Sequence, residues 1–159
     1  YVHQWFCDAV GPATWNQIWF NEGWGQWGTW FNTSATNPAT QTANNYASTS
    51  NPTRWDIPPG TLNNDPEYLF STFQTYTRPA MMLEYYRQIV GDTKFSAFAK
   101  KLQTDFAYGN INAQQFIDTA VEVAYFGPNL TDALEEFFDQ WLFLAGKPPL
   151  TAATFPAVE

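Results

Sequence analysis

Apolar residues recur at helical spacing through most of the chain, and no segment shows the strict apolar–polar alternation of a half-buried strand. The second half has the clearest pattern, with apolar positions at i, i+3, i+4 and i+7 between recognisable start and stop residues. The helices that this pattern predicts run from Arg78 to Gly91, from Asp92 to Phe106, from Asn112 to Ala124 and from Thr131 to Leu142. We therefore predict a mainly α fold without strand pairs.

The first thirty residues predict two helical pieces joined by a turn at Gly11-Pro12, the first ending near Asp8 and the second beginning after Thr14. Glycines at 23, 25 and 28 interrupt the second piece, and glycine lets another part of the chain approach closely. Its aromatic stripe, which we expect to pack in the core, comprises Trp15, Trp19, Phe20, Trp24, Trp27, Trp30 and Phe31.

Residues 32–66 differ in composition, being rich in Thr, Asn, Ala, Ser and Pro. No hydrophobic period is visible, so we predict a long loop. Trp55, Ile57 and Leu62 are anchors that should hold this loop over the domain rather than leave it as a linker. A further helix should run from Glu67 to Thr75. The chain is thus predicted to form one unit over residues 1–159.

Composition and net charge exclude several classes of function. The formal net charge is −8 with only seven Lys and Arg, which argues against nucleic-acid binding. The single cysteine, Cys7, excludes an internal disulfide and any multi-cysteine zinc site. No apolar run is long enough to span a membrane. Sparse lysine, the Asn/Thr-rich segment and glycosylation patterns at Asn32 and Asn129 favour an extracellular or cell-envelope location, with the cytoplasm left open.

Candidate metal chemistry lies at the start of the chain. His3 is the only histidine, and Glu22 follows it with eighteen residues between them. Neutral imidazole and carboxylate are both zinc ligands, and catalytic zinc commonly takes three protein ligands and one water. The sequence therefore supplies two ligand types of such a site.

The segment His3-Gln-Trp-Phe, followed by Trp15-x-x-x-Trp-Phe-Asn-Glu22-Gly, resembles the zinc-site region of the M1 aminopeptidases, a gluzincin family with a thermolysin-like catalytic domain. The family signature is His-Glu-x-x-His, then eighteen residues, then Glu. If His3 is its second histidine, the first histidine and the general-base glutamate fall on the two residues immediately before Tyr1. The resemblance thus implies that the chain begins inside the motif and is the C-terminal, helical part of a catalytic domain.

Two later segments extend the resemblance. Thr75-Tyr-Thr-Arg-Pro-Ala80 is similar to the family's Tyr-x-[Lys/Arg]-Gly segment, and Phe137–Leu142 with Gly146-Lys-Pro148 is similar to the end of its catalytic domain. The resemblance implies that His3 and Glu22 are zinc ligands and that Tyr76 is the catalytic tyrosine. It assigns supporting roles to Asn21, Gly23 and Arg78. The sequence departs from the family pattern at Cys7, Asn16, Gln17 and Pro79.

The resemblance implies that the full-length protein, of which this chain is a part, is a zinc-dependent metallopeptidase. We expect it to be an aminopeptidase that cleaves N-terminal peptide bonds with zinc-activated water. Its partners are a peptide substrate and the missing N-terminal part of the protein. The piece alone should be inactive and bind zinc weakly or not at all. The alternatives are a non-catalytic binding module on a peptidase-derived scaffold and a carbohydrate-binding protein, which fits the aromatic content but not the motif spacing.

Overall fold

A computed structural model describes residues 2–62 and 66–157, apart from the side chain of Asn129. The predicted mainly α fold is confirmed. The helices of the described part are α1 (Trp19–Thr33), α2 (Asn37–Ala47), α3 (Pro66–Leu69), α4 (Arg78–Asp105), α5 (Ala113–Ala124) and α6 (Pro128–Leu142). None of the helices in these ranges is both long and apolar enough to cross a membrane.

The long helix α4 runs through the centre of the fold and contacts α1, α2, α5 and α6. It is kinked at Gly91, whose φ of 80° lies in the left-handed region that glycine adopts without steric cost. The two helices predicted on either side of Gly91 are therefore the two halves of one kinked helix. Asn112 caps α5 through a reciprocal pair of bonds with Gln115, which confirms the predicted start of that helix.

The core is largely aromatic. Phe116 on α5 contacts Trp19 on α1, Phe98 on α4 and Phe138 on α6, each in an edge-to-face arrangement. In the predicted stripe of α1, the side chains of Trp19, Phe20, Trp24 and Trp30 are buried. The prediction that Trp15 and Phe31 pack in the core is wrong. These residues lie at the two ends of the stripe, and 66% and 42% of their surfaces are exposed.

The prediction that the fold has no strand pair is wrong, because the structure contains a short parallel pair. β1 (Val10–Pro12) pairs with β2 (Gly109–Ile111), with Val10 opposite Gly109. Each strand has three residues, too few for an alternating pattern to be visible in the sequence. The first predicted helix is also wrong, since only a 3₁₀ turn, Val2–Gln4, forms before β1.

The prediction of a loop over 32–66 is wrong for residues 37–47, which form α2. Pro38 lies in the first turn, where its missing N–H costs nothing, and polar residues cover most of the helix surface. An almost wholly polar helix lacks the apolar stripe from which helices are recognised. Two 3₁₀ turns, Pro52–Trp55 and Pro59–Thr61, follow it.

Two helix boundaries also differ from the prediction. The segment predicted as one helix from Glu67 to Thr75 is divided into α3 and a π-helical turn, Thr72–Thr77, called the π-turn below. Helix α6 begins at Pro128 rather than at Thr131, because the proline sits in its first turn after Gly127. The π-turn leads directly into α4.

Candidate functional site

His3 and Glu22 face each other from two different elements. His3 lies in the 3₁₀ turn Val2–Gln4, and Glu22 lies in the first turn of α1. The distance between His3 Nε2 and Glu22 Oε2 is 3.7 Å, longer than a hydrogen bond. Half of the His3 side chain is exposed, against 17% for Glu22. The eighteen-residue spacing thus brings the two predicted ligands together.

Glycine 25 makes this approach possible. A Cβ atom added at Gly25 would lie 2.5 Å from His3 Nε2 and 2.6 Å from His3 Cε1. At Gly28, one turn further along α1, an added Cβ would lie 2.1 Å from Val2 Cγ2. The turn that carries His3 therefore rests directly on the backbone of α1, as the glycines in the sequence had indicated.

Tyr76 reaches the same place from the π-turn. Its phenol lines the same cleft as Glu22, and burial together with the neighbouring Glu22 carboxylate raises the pKa of Tyr76. Thr75 joins this turn to the end of α3, since its buried hydroxyl donates to the carbonyl of Leu69 at 2.9 Å. A π-helical turn is rare and often marks a functional position.

The three side chains line one cleft of about 450 Å³. Its floor is the glycine-bearing face of α1, and its walls are the 3₁₀ turn and the π-turn. The lining residues are Val2, His3, Glu22, Gly25, Gln26, Gly28, Thr29, Asn32, Thr33 and Tyr76. An imidazole, a carboxylate and a phenol thus converge on one opening.

None of the three residues expected to support the site lines this cleft. Gly23 touches Pro79, because a Cβ at Gly23 would lie 2.6 Å from Pro79 Cβ. Asn21 is 2% exposed, and its Oδ1 has no hydrogen-bond partner among the described residues. Arg78 is fully buried, and its guanidinium donates only to backbone carbonyls. Arg78 therefore makes no contact with the cleft.

The donor pair fits zinc but does not complete a zinc site. Two donors about 2.0–2.1 Å from a tetrahedral zinc stand about 3.4 Å apart, and the 3.7 Å between His3 and Glu22 differs by only a few tenths of an ångström. In the described part of the chain, no group of three or more His, Cys, Asp and Glu side chains could hold a metal ion. A zinc ion held by this pair would need at least one further ligand from elsewhere.

A second, wider cleft of about 860 Å³ lies on the other side of Glu22 and was not predicted. Cys7, an exposed free thiol, lines this second cleft, and burial, together with the negative charges of Asp8 and Glu22, raises its pKa. Phe70 and Tyr108 are exposed at its edges. Neither belongs to a motif, so sequence reasoning had no signal for them.

Comparison with known proteins shows the family to which this chain belongs. The model of the peptidase family M1 domain matches residues 1–141. Leucine aminopeptidase 2 of Vanderwaltozyma polyspora is 29% identical over 93% of this chain and 24% of its own length. Aminopeptidase B of Mus musculus is 27% identical over 92% of this chain and 25% of its own length. The chain thus spans about a quarter of these curated relatives.

Solved structures agree on the fold. The M1 zinc metallopeptidase of Deinococcus radiodurans covers 99% of this chain with a TM-score of 0.71 and 20% identity, and the chain covers 32% of it. Native leukotriene A4 hydrolase of Saccharomyces cerevisiae covers 94% of this chain with a TM-score of 0.64 and 27% identity, and the chain covers 26% of it. The predicted helical lobe of a metallopeptidase catalytic domain is thereby confirmed.

Proposed function

Because the chain belongs to the M1 peptidase family, we propose that residues 1–159 are the C-terminal helical part of the catalytic domain of a zinc aminopeptidase. In this proposal His3 and Glu22 are two zinc ligands, and Tyr76 is the catalytic tyrosine. The observation that carries it is the convergence of these three side chains, from three separate elements, on one cleft. Asn21 and Gly23, which flank Glu22 on α1, have supporting roles in this proposal.

Each side chain has a distinct task in peptide hydrolysis. His3, Glu22 and a further ligand would hold the zinc, which would supply a Lewis acid and lower the pKa of water. The Tyr76 phenol lies at the rim of the cleft and can donate its O–H to the oxyanion that forms when the scissile carbonyl becomes tetrahedral. The phenol is protonated at neutral pH, as a donor must be, because a tyrosine ordinarily ionises near pH ~10 and its surroundings only raise the pKa of Tyr76 further.

The substrate class rests on the relatives. The curated relatives are named leucine aminopeptidase and aminopeptidase B. One solved structure of the Deinococcus radiodurans enzyme contains the tripeptide Tyr-Ser-Ala as substrate. We infer that the full-length protein removes residues from the N-termini of peptides. The predicted extracellular or cell-envelope location has no support in the relatives' names and stays a prediction.

The proposal requires a His-Glu pair in the two positions before Tyr1 of the full-length protein. These residues would supply the remaining zinc ligand and the general base of the family signature. Residues 1–159 alone should then show no turnover and only weak zinc binding. A different pair at those positions would favour a non-catalytic binding module instead.

The test uses the full-length protein and an aminoacyl p-nitroanilide. We expect about one zinc ion per chain and hydrolysis that a chelator abolishes and added zinc restores. Tyr76→Phe should lower kcat about 10²- to 10³-fold, as loss of one oxyanion donor does elsewhere. Its matched control is Tyr125→Phe, because Tyr125 is 69% exposed. Glu22→Gln should lose zinc, whereas Glu135→Gln, on the exposed surface, should keep it.

Turnover that survives both chelation and Glu22→Gln would contradict the zinc mechanism. Full activity of Tyr76→Phe would contradict only the role of the tyrosine.

A further inference from the structure

Arg78 is a buried cation without an anionic partner in the described part of the chain. None of its side chain surface is exposed, and its guanidinium donates four hydrogen bonds to backbone carbonyls. The acceptors are Trp141 at 3.0 Å, Trp55 at 3.1 Å, Gln140 at 2.9 Å and Leu144 at 2.8 Å. Burial lowers its pKa to about 10, so the side chain stays charged at neutral pH.

Three of the four acceptor carbonyls belong to residues at the end of a helical segment. Gln140 and Trp141 belong to the last turn of α6, where helix carbonyls lack partners within the helix and the helix dipole is negative. Trp55 ends the 3₁₀ turn Pro52–Trp55, and its carbonyl also accepts from the backbone N–H of Gly146 at 2.9 Å. The planar guanidinium therefore joins three segments that are distant in the sequence.

Arg78 is also the residue at which the π-turn ends and α4 begins. Its backbone N–H donates to the carbonyl of Phe73, which closes the π-helical hydrogen-bond pattern around Tyr76. The next residue, Pro79, packs on Gly23, which is adjacent to Glu22 on α1. The backbone beside Tyr76 is thus held between α1 on one side and the end of α6 on the other.

We propose that Arg78 is a positioning residue for Tyr76: by joining the π-turn to the end of α6, it fixes where the Tyr76 hydroxyl lies relative to Glu22. The guanidinium makes this link because its rigid fork reaches carbonyls in several directions at once, which an ammonium group on a flexible stem does not reproduce. The kinetic consequence rests on the proposed function, whereas the geometric claim does not.

The test compares Arg78→Lys and Arg78→Gln in the full-length protein labelled with ¹³Cζ-tyrosine. Tyr76→Phe identifies the Tyr76 resonance, and its position is read with and without zinc. We expect the resonance to move toward that of an exposed tyrosine, more in Arg78→Gln than in Arg78→Lys. We also expect kcat of Arg78→Lys to fall about three- to tenfold with KM changed less than about twofold, because small misplacements of a catalytic group cost rate.

Tyr86→Phe is the matched control for loss of stability alone. Tyr86 is fully buried on the same helix and donates one hydrogen bond to the Ala120 carbonyl at 2.7 Å, away from the cleft. This variant should lower the Tm without moving the Tyr76 resonance.

Two outcomes overturn the proposal, and a third separates it from the proposed function. If folded Arg78→Lys keeps both the wild-type Tyr76 resonance and the wild-type kcat, the proposal is wrong, and this variant decides even if Arg78→Gln fails to fold. A Tyr76 shift of equal size in Tyr86→Phe also overturns it, because the effect is then general loosening. Full activity of Tyr76→Phe overturns the catalytic role of the tyrosine but leaves the resonance shift as an independent measure of the Arg78 link.

Discussion

Substitution of Gly25 by alanine separates folding from metal binding. Gly25 lies inside α1, where alanine is a better helix former than glycine by about 1 kcal/mol. On helix propensity alone, Gly25→Ala should stabilise the protein. The new methyl group, however, points at the imidazole ring of His3.

The size of the conflict follows from the distances. The added Cβ would lie 2.5 Å from His3 Nε2, whereas ordinary contacts begin at 3.4 Å, so the ring must retreat by about 0.9 Å. Half of the His3 side chain is exposed, which makes this movement cheap for the fold. The same movement of the ring would disrupt a metal site, because metal–ligand distances must hold to within about 0.2 Å.

We therefore expect Gly25→Ala of the full-length protein to keep or slightly raise its Tm and to bind zinc at least about 100-fold more weakly, since merely disturbing a residue that orients a ligand costs about 10- to 100-fold. Zinc affinity is measured by competition with a chelator, and the Tm is measured on the zinc-free protein. Gly28→Ala is the control: it carries the same gain in helix propensity, but its methyl group meets Val2 and not the imidazole.

Wild-type zinc affinity in Gly25→Ala would refute the reasoning, because it would show that His3 is not held against α1 as a ligand. An equal loss of affinity in Gly28→Ala would also count against it, since the effect would then belong to the whole turn.

Three further predictions concern stability. Asn112→Ala should cost about 1 kcal/mol, since it breaks the reciprocal bonds with Gln115 at the start of α5; chemical denaturation measures this. Phe98→Ala, at 0% exposure, should cost about 3–5 kcal/mol. Phe70→Ala, at 51% exposure, should cost far less in the same assay. Burial and Tyr46 raise the pKa of Tyr85 to about 12, whereas an unfolded tyrosine ionises near pH ~10. The unfolded state then loses its proton first, so the Tm should fall as the pH rises from about 10 to 12.

The sequence predicts helices well where they bury one apolar stripe. Helix α5 and both halves of α4 have such a stripe, and capping residues or Gly91 mark their limits. Helix α2 is polar over most of its surface, so its composition resembles that of a loop. Strands β1 and β2 are held by pairing between segments about a hundred residues apart, and three residues carry no period of their own.

The sequence also identifies some residues of the candidate site and misses other features of it. His3 and Glu22 stand out in the sequence because a zinc signature restricts both residue type and spacing, and the two side chains do face each other in the structure. Tyr76 is recognisable only through its neighbours in the motif, because a tyrosine near a helix start is usually an ordinary packing residue. The π-turn that presents Tyr76 has no sequence signature at all.

Arg78 shows why that presentation was beyond the sequence. Three of its four acceptors lie 62 to 66 residues further along the chain. All four acceptors are backbone carbonyls, which every residue type offers equally. When a cation pairs with a carboxylate, two charged residues of the interaction can be recognised in the sequence. When a cation binds the carbonyls at the end of a helix, only the cation can be recognised. The residues that hold a catalytic group in place are therefore hardest to recognise when they act on the backbone, and the aspect of this site that sequence predicts least is the orientation of Tyr76 toward Glu22.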